Sequence, residues 1–491
     1  MKRYKKLLGA LSLGILFASC SESFLESEPQ GYINNEQLEA SAKWNPNIML
    51  GQVLGTAHKS FAHGTGGTDN HDDFGQKSVD IATDLMSGDM VMGGVSYGWF
   101  VSDARLLNNT KDRNRAYMIW RYYFQIIKAA NAIFDAVGGD ENMPDADSEN
   151  LLYYGQAKAM RAYAYFNLVN LYAKPYEESK NTQALPIYRT QLVAETTPYS
   201  TVDQIYEFII NDLNDAIVAL DGQTRLTKDT PDQYVAYGLL AYTYLQMGNW
   251  AKAAEAAYNV IKDNVYPIMT PNEIINSGFN NVNIDSWMWA IDLTIDNSPA
   301  LPTFWGHVDY FTYSYAAAGD YKLISDNLLA EIPATDYRKY WFRSTAPQLP
   351  WGKFYDAARK PMGNRLWDND EVYMRVEEMY LILAEASARN NDLTTAQAAL
   401  KALLDQRDAE TAASIASMSK EDLLDAIYYN WRVEMWGEGR GLMTLKRFKK
   451  TATRGTNDAT ALAGTSYSYD DSRLYFNVPE NEINNNPYYG K

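Results

Sequence analysis

Residues 239–261, LLAYTYLQMGNWAKAAEAAYNVI, decide the fold once they are set against residues 381–404, LILAEASARNNDLTTAQAALKALL. Counted from Leu240 and from Leu383, the two stretches match position by position. Ala241 pairs with Ala384, Tyr244 with Ser387, Gly248 with Asn391, Trp250 with Leu393, Ala253 with Ala396 and Ala257 with Leu400. Each stretch reads as two short apolar-periodic helices broken by a turn residue. Alanine where the helices face each other removes bulk, so the two can pack at short interaxial distance.

Small residue, turn, bulky residue, small residue is the spacing of a tetratricopeptide repeat. Outward from the matched pair the helical period continues. In residues 116–137 it places Ile119, Tyr123, Ile126, Ala130 and Ile133 on one face, and in 156–173 Ala159, Tyr163, Phe166 and Val169. Gly138-Gly139 and Lys174-Pro175 end these two helices. Residues 201–220 run into the first matched copy, and 419–448 follow the second. The expectation is an all-α protein of about eight helices in four hairpins, two of them clear and two degenerate. They fall at about 106–173, 201–262 and 372–450 of a single domain spanning 32–491. Between about 265 and 370 the helical period lapses into an irregular, aromatic-rich insertion with little β structure. The alternation in DSWMWAIDL, 285–293, also fits a buried strand with Trp287 and Trp289 on its inner face.

Composition bounds the function. Apolar residues are 46% of the 491, enough for a large core, and 37 tyrosines supply more amphipathic rings than a core absorbs. A net charge of −17 repels phosphate backbones, which argues against a nucleic-acid partner. Cys20 is the only cysteine, so no intrachain disulfide forms. It closes MKRYKKLLGALSLGILFASC, a basic and then apolar leader with small residues Ala18 and Ser19 before the Cys. Residues 1–19 read as a signal peptide. The ending resembles a bacterial lipobox, with Phe17 where Leu is commoner, and implies that Cys20 is lipidated. Residues 20–31, rich in Ser and Glu, read as an acidic tether; Glu22, Glu26 and Glu28 resemble the export signal of surface lipoproteins.

Together these segments resemble a known family from end to end. CSESFLESEPQG, RVEEMYLILAEASARNNDLTTAQAAL, NWRVEMWGEGRGLMTLKRF and LYFNVPENEINNNP are similar to motifs of SusD/RagB-type outer-membrane lipoproteins. In the third, Arg432, Glu434, Gly437, Glu438, Gly439, Leu445 and Arg447 stand in place, with Asn430 where Glu is usual. The resemblance implies a non-catalytic, surface-exposed glycan-binding lipoprotein, lipid-anchored in the outer membrane. Such a protein delivers oligosaccharide or polysaccharide to a SusC-like TonB-dependent transporter. It implies no cofactor, and it leaves peptide or glycopeptide cargo as an alternative. Contact residues are poorly shared in the family, so none carry over.

Local motifs for catalysis or metal binding have weak support. Gly94-Val95-Ser96-Tyr97-Gly98 matches the hydrolase G-x-S-x-G pattern, yet no β-run precedes it and His307 is the only downstream histidine. His63, Asp69, His71, Asp72 and Asp73 have neither calcium-loop nor zinc spacing, and no metal is expected. Among sixty-one acids no pair stands out for an all-α glycosidase, the remaining alternative. The aromatics in Gly/Pro-rich loops are the better candidates, because sugar C–H faces stack on rings while hydroxyls seek polar groups. Tyr97, Trp99, Trp305 and Tyr310 are the expected stacking residues, with Asn70, Asp72 and Asp103 as polar contacts.

Overall fold

The computed structural model describes residues 47–107, 114–191 and 197–490. The leader, Cys20 and the tether lie outside the described residues, as do residues 108–113 at the start of the first expected hairpin.

The scaffold is a row of helices in which each packs on the next. In order these are α4 (Asn114–Ala136), α5 (Asn150–Tyr172), α6 (Val202–Ala219), α7 (Gln233–Met247), α8 (Trp250–Ile261), α10 (Val376–Arg389), α11 (Leu393–Leu404) and α12 (Lys420–Glu434). α1 (Asn47–Lys59) lies on α4 and α5. α13 (Gly441–Arg447) follows α12 and packs on α2 (Gln76–Ser87). The matched hairpins form as their spacing predicts. Ala241, Ala253, Ala384 and Ala396 are fully buried between helices. Gly248 and Asn391, the matched turn residues, take φ of +74° and +64°, a conformation that Gly and Asn tolerate best. Asn249 and Asp392 then cap α8 and α11 by accepting from the amides of Lys252 and Thr395.

Strand is confined to short antiparallel pairs: β1 (Met90–Met92) with β5 (Lys322–Ile324), β2 (Gln183–Pro186) with β3 (Tyr199–Thr201), β4 (Trp287–Ile291) with β6 (Glu371–Arg375), and β7 (Thr451–Thr453) with β8 (Ser466–Ser468). The strand reading of 285–293 is realised over Trp287–Ile291, but Trp287 and Trp289 do not share an inner face, because the register shifts between them. β4 is buried on both faces because it lies between two cores. Met288, Trp289 and Ile291 join the helical core, while Trp287 and Ala290 join the core of the insertion.

A buried ionic joint locks the insertion to the helices. Glu434, at the end of α12, receives Arg375 at 2.7 Å, Arg407 at 2.9 Å and Arg338 at 3.1 Å, all fully buried. Burial disfavours its charge, but Arg407, Arg375 and Arg338 together hold the Glu434 carboxyl well below the usual range. Glu438 pairs with Arg375 at 2.9 Å and with Lys353 of the insertion at 2.6 Å. The glycines around it serve α2. Gly437 and Gly439, at φ of +82° and +74°, donate backbone N–H groups to Asp84 at 2.8 and 3.2 Å. The Arg-x-Glu…Gly-Glu-Gly motif is thus a structural joint.

Candidate functional site: an aromatic ledge over a polar cavity

Residues 93–100 project from the end of β1, and residues 312–320 lead into its partner β5, so one short ladder presents both loops. The carboxylate of Asp320 accepts the backbone amides of Ser96 and Tyr97, each at 2.8 Å. Gly94 is required at this crossing: a Cβ there would stand 2.1 Å from the Gly319 carbonyl oxygen. The loop is therefore held, and its rings are displayed.

Tyr97 is 53% exposed. Its ring meets Tyr315 edge-on at 5.1 Å, and Tyr315 meets Trp99 at 6.2 Å. The His71 ring backs the half-buried Trp99, stacked at 5.5 Å and 12°. A hydrogen bond joins the His71 Nδ1 to the Tyr315 hydroxyl, and His307 stacks on Tyr315 at 4.7 Å. Burial foremost pushes the Tyr315 phenol up and the His307 imidazole well down, so His307 is neutral.

Beside Trp99 opens a cavity of ≈310 Å³ lined by Asn70, Asp72, Ser102, Asp103, Asn114 and Arg115 among others. All three polar residues expected from sequence line it, in different states. Asn70 is half-buried. Asp72 takes Arg115 at 2.7 Å on Oδ2, while its buried Oδ1 accepts no hydrogen bond. Asp103 is a correction. It is 1% exposed and grips Arg115 with both oxygens at 3.0 Å, so it positions Arg115 and offers a ligand little. Burial raises its carboxyl despite that partner. Phe100, beneath the Arg115 guanidinium at 4.8 Å, holds φ of +63° and turns the loop into α3 (Val101–Ala104).

Trp305 is the larger correction. Thr303 caps the short helix α9 (Phe304–Val308), every residue of which is buried, and Trp305 packs on Phe304 and Phe354 with no exposed surface. Its ring faces are closed to a ligand. Tyr310 is half-buried in a separate group with Tyr321 and Trp351, each at 6.4 Å. Tyr315 and His71 complete the ledge instead. Their order in sequence hides this, because His71 and Tyr315 meet only through folding.

The other motifs resolve structurally. A strand, β1, does precede Ser96, contrary to expectation, and a one-turn helix follows it. However, His307 is fully buried with Nε2 at 2.8 Å from the His71 carbonyl oxygen. In the His/Asp-rich loop, Asp73 accepts from the amides of Gly66 and Thr68 at 2.9 and 3.0 Å, and His63 meets the Asn70 carbonyl at 3.1 Å. Among the described residues no cluster of His, Cys, Asp or Glu is arranged to hold a metal.

Comparison with known proteins agrees with this architecture. A family model described as "Starch-binding associating with outer membrane" matches residues 73–245, and one described as "SusD family" matches 310–490. A SusD-like protein of Bacteroides ovatus is 24% identical over 301 residues, 57% of this chain and 48% of the relative. SusD-like protein P2 of Formosa agariphila is 31% identical over 268 residues, 54% of this chain and 47% of the relative. The matched chain thus spans about half the length of these relatives. Among solved structures, a SusD superfamily protein from Bacteroides thetaiotaomicron superposes with TM-score 0.76 at 20% identity, covering 90% of this chain and 98% of the other. Surface glycan-binding protein A from Bacteroides uniformis gives 0.68 at 18%, again covering 90% and 98%. At these identities the likeness is one of fold. With the two family models, the curated relatives and the shared architecture in agreement, the chain belongs to the SusD family.

Proposed function

We propose that this protein is a surface glycan-binding lipoprotein of the outer membrane, anchored through Cys20, which captures oligosaccharide or polysaccharide and passes it uncleaved to a SusC-like TonB-dependent transporter. One observation carries the reading: the exposed Tyr97, with Trp99 and Tyr315, forms a ledge beside a polar cavity. Rings for C–H faces next to hydroxyl partners are what a sugar chain requires. Asn70 and Asp72 of the cavity lining are the polar contacts in this reading, and Tyr310, in its separate group beside Trp351, is a further candidate ring. A family described as starch-binding and a structural neighbour that is a surface glycan-binding protein point to the same ligand class.

Affinity electrophoresis and calorimetry against a panel of polysaccharides, with peptides included, test it. Binding to at least one glycan without release of reducing ends is expected. Binding only to peptides would reassign the cargo, and turnover of the glycan would overturn the non-catalytic reading.

A further inference from the structure

Among the described residues, Arg115 is the one cation in the lining of the cavity beside Trp99. A guanidinium carries five N–H donors, and here all five are spent within the protein. Nε donates to Asp103 Oδ1 at 3.0 Å. Nη2 donates to Asp103 Oδ2 at 3.0 Å and to Asp72 Oδ2 at 2.7 Å. Nη1 donates to the Asp72 carbonyl oxygen at 2.8 Å and to the Ser78 hydroxyl at 2.9 Å. Arg115 is therefore closed to a ligand.

Lys322, on β5, feels the charges of Asp72, Asp103 and Asp320, but it is fully buried. Its Nζ donates to the Asp320 carbonyl oxygen at 3.2 Å and faces the Phe100 ring at 5.5 Å, so it too is out of reach. Asp73 and Asp320 take backbone amides, and Asp73 also the Thr68 hydroxyl, none of which carries a full charge. Four carboxylates, Asp72, Asp73, Asp103 and Asp320, thus stand against two cations, an excess of two negative charges. Of the four, Asp72 lines the cavity and keeps 15% of its side chain exposed.

An acid group brought into this cavity would lose water, meet no open cation and stand beside the Asp72 carboxylate. Burying a charge without a partner is costly. A hydroxyl has no such cost: it can donate to a carboxylate, and it can donate to or accept from the amides of Asn70 and Asn114. We infer that the site selects uncharged sugars and rejects those bearing carboxylate or sulfate, with Asp72 setting the discrimination, which rests on the glycan reading of the ledge and narrows its cargo to neutral chains.

The test uses calorimetry and affinity electrophoresis on the full chain at low and at high ionic strength. Amylopectin, laminarin and galactomannan serve as neutral probes, with alginate, polygalacturonate and chondroitin sulfate as anionic ones. The best neutral binder is also offered oxidised at its primary hydroxyls to the acid, and as the methyl ester of that acid. The neutral polymer and the ester should bind, and the acid about tenfold or more weakly than the ester at low salt. Because salt screens a repulsion, the acid should bind better as ionic strength rises, while the ester is unaffected. Asp72→Asn should narrow the gap between acid and ester several-fold. The salt trend of the native chain decides the matter where that variant fails to fold. Tightest binding of an anionic polymer, or an acid affinity that equals the ester's or falls with salt, overturns the selectivity and leaves the glycan reading intact. Binding of no glycan at all overturns the glycan reading itself, and the selectivity with it.

Discussion

At Trp99 the indole is backed by His71 and open enough to be met, whereas at Trp305 the same side chain is sealed among Phe304 and Phe354. Their substitutions should therefore fail in different ways. Trp99→Ala is expected to lower glycan affinity roughly two- to tenfold by calorimetry, since a ring contact is worth roughly 0.5–1.5 kcal/mol, with the helical dichroism unchanged. Trp305→Ala should cost about 3–5 kcal/mol of stability in denaturant unfolding, as a large buried aromatic leaves a cavity. Both residues sit in Gly/Pro-rich sequence, so nothing local separates them; Phe354 closes over Trp305 from a distant part of the chain. Glu371 supplies a pH test. Burial raises its carboxyl to about 8. The folded state thus holds a proton that the unfolded chain releases near 4.5. The sign follows from linkage: this contribution is complete below about 4.5 and is lost as pH rises through about 8. Glu371→Gln should flatten that decline and unfold at a higher temperature than the native protein at pH 9.

Elements add constraints of spacing. The hairpins at 233–261 and 376–404 were legible because an alanine at a helix crossing and a left-handed turn residue each have a single-residue signature. Ala396→Leu would force the α10–α11 contact apart and should destabilise by about 1–3 kcal/mol in chemical denaturation. The ledge depends on a contact of another kind. Gly94→Ala places a methyl against the Gly319 carbonyl, so the loop must lift from Asp320. Glycan affinity should drop in calorimetry while the melting temperature changes little. β1 left no trace in the periodicity because it is only three residues long and pairs with β5, over two hundred residues away.

Across the molecule, the insertion and the helical row are bound through Glu434, on which Arg338, Arg375 and Arg407 converge. Glu434→Ala leaves three buried guanidinium groups short of a partner. It should cost about 3–5 kcal/mol in denaturant unfolding, the scale for breaking a buried ion pair. The motif carrying Glu434 and Glu438 was visible in sequence as a family signature, but its partners were not. They come from three separated parts of the chain, and long-range charge pairing has no period to read.

The sequence by itself determined the helical class, the positions of the repeat hairpins and the family, because helical spacing, small-residue contacts and turn chemistry act over a few residues and repeat. Only the tertiary structure decided which aromatic rings reach solvent, that His71 and Tyr315 join Tyr97 and Trp99, and that Trp305 and Asp103 serve the core. Exposure is set by what the rest of the chain lays over a residue, and no local pattern encodes that.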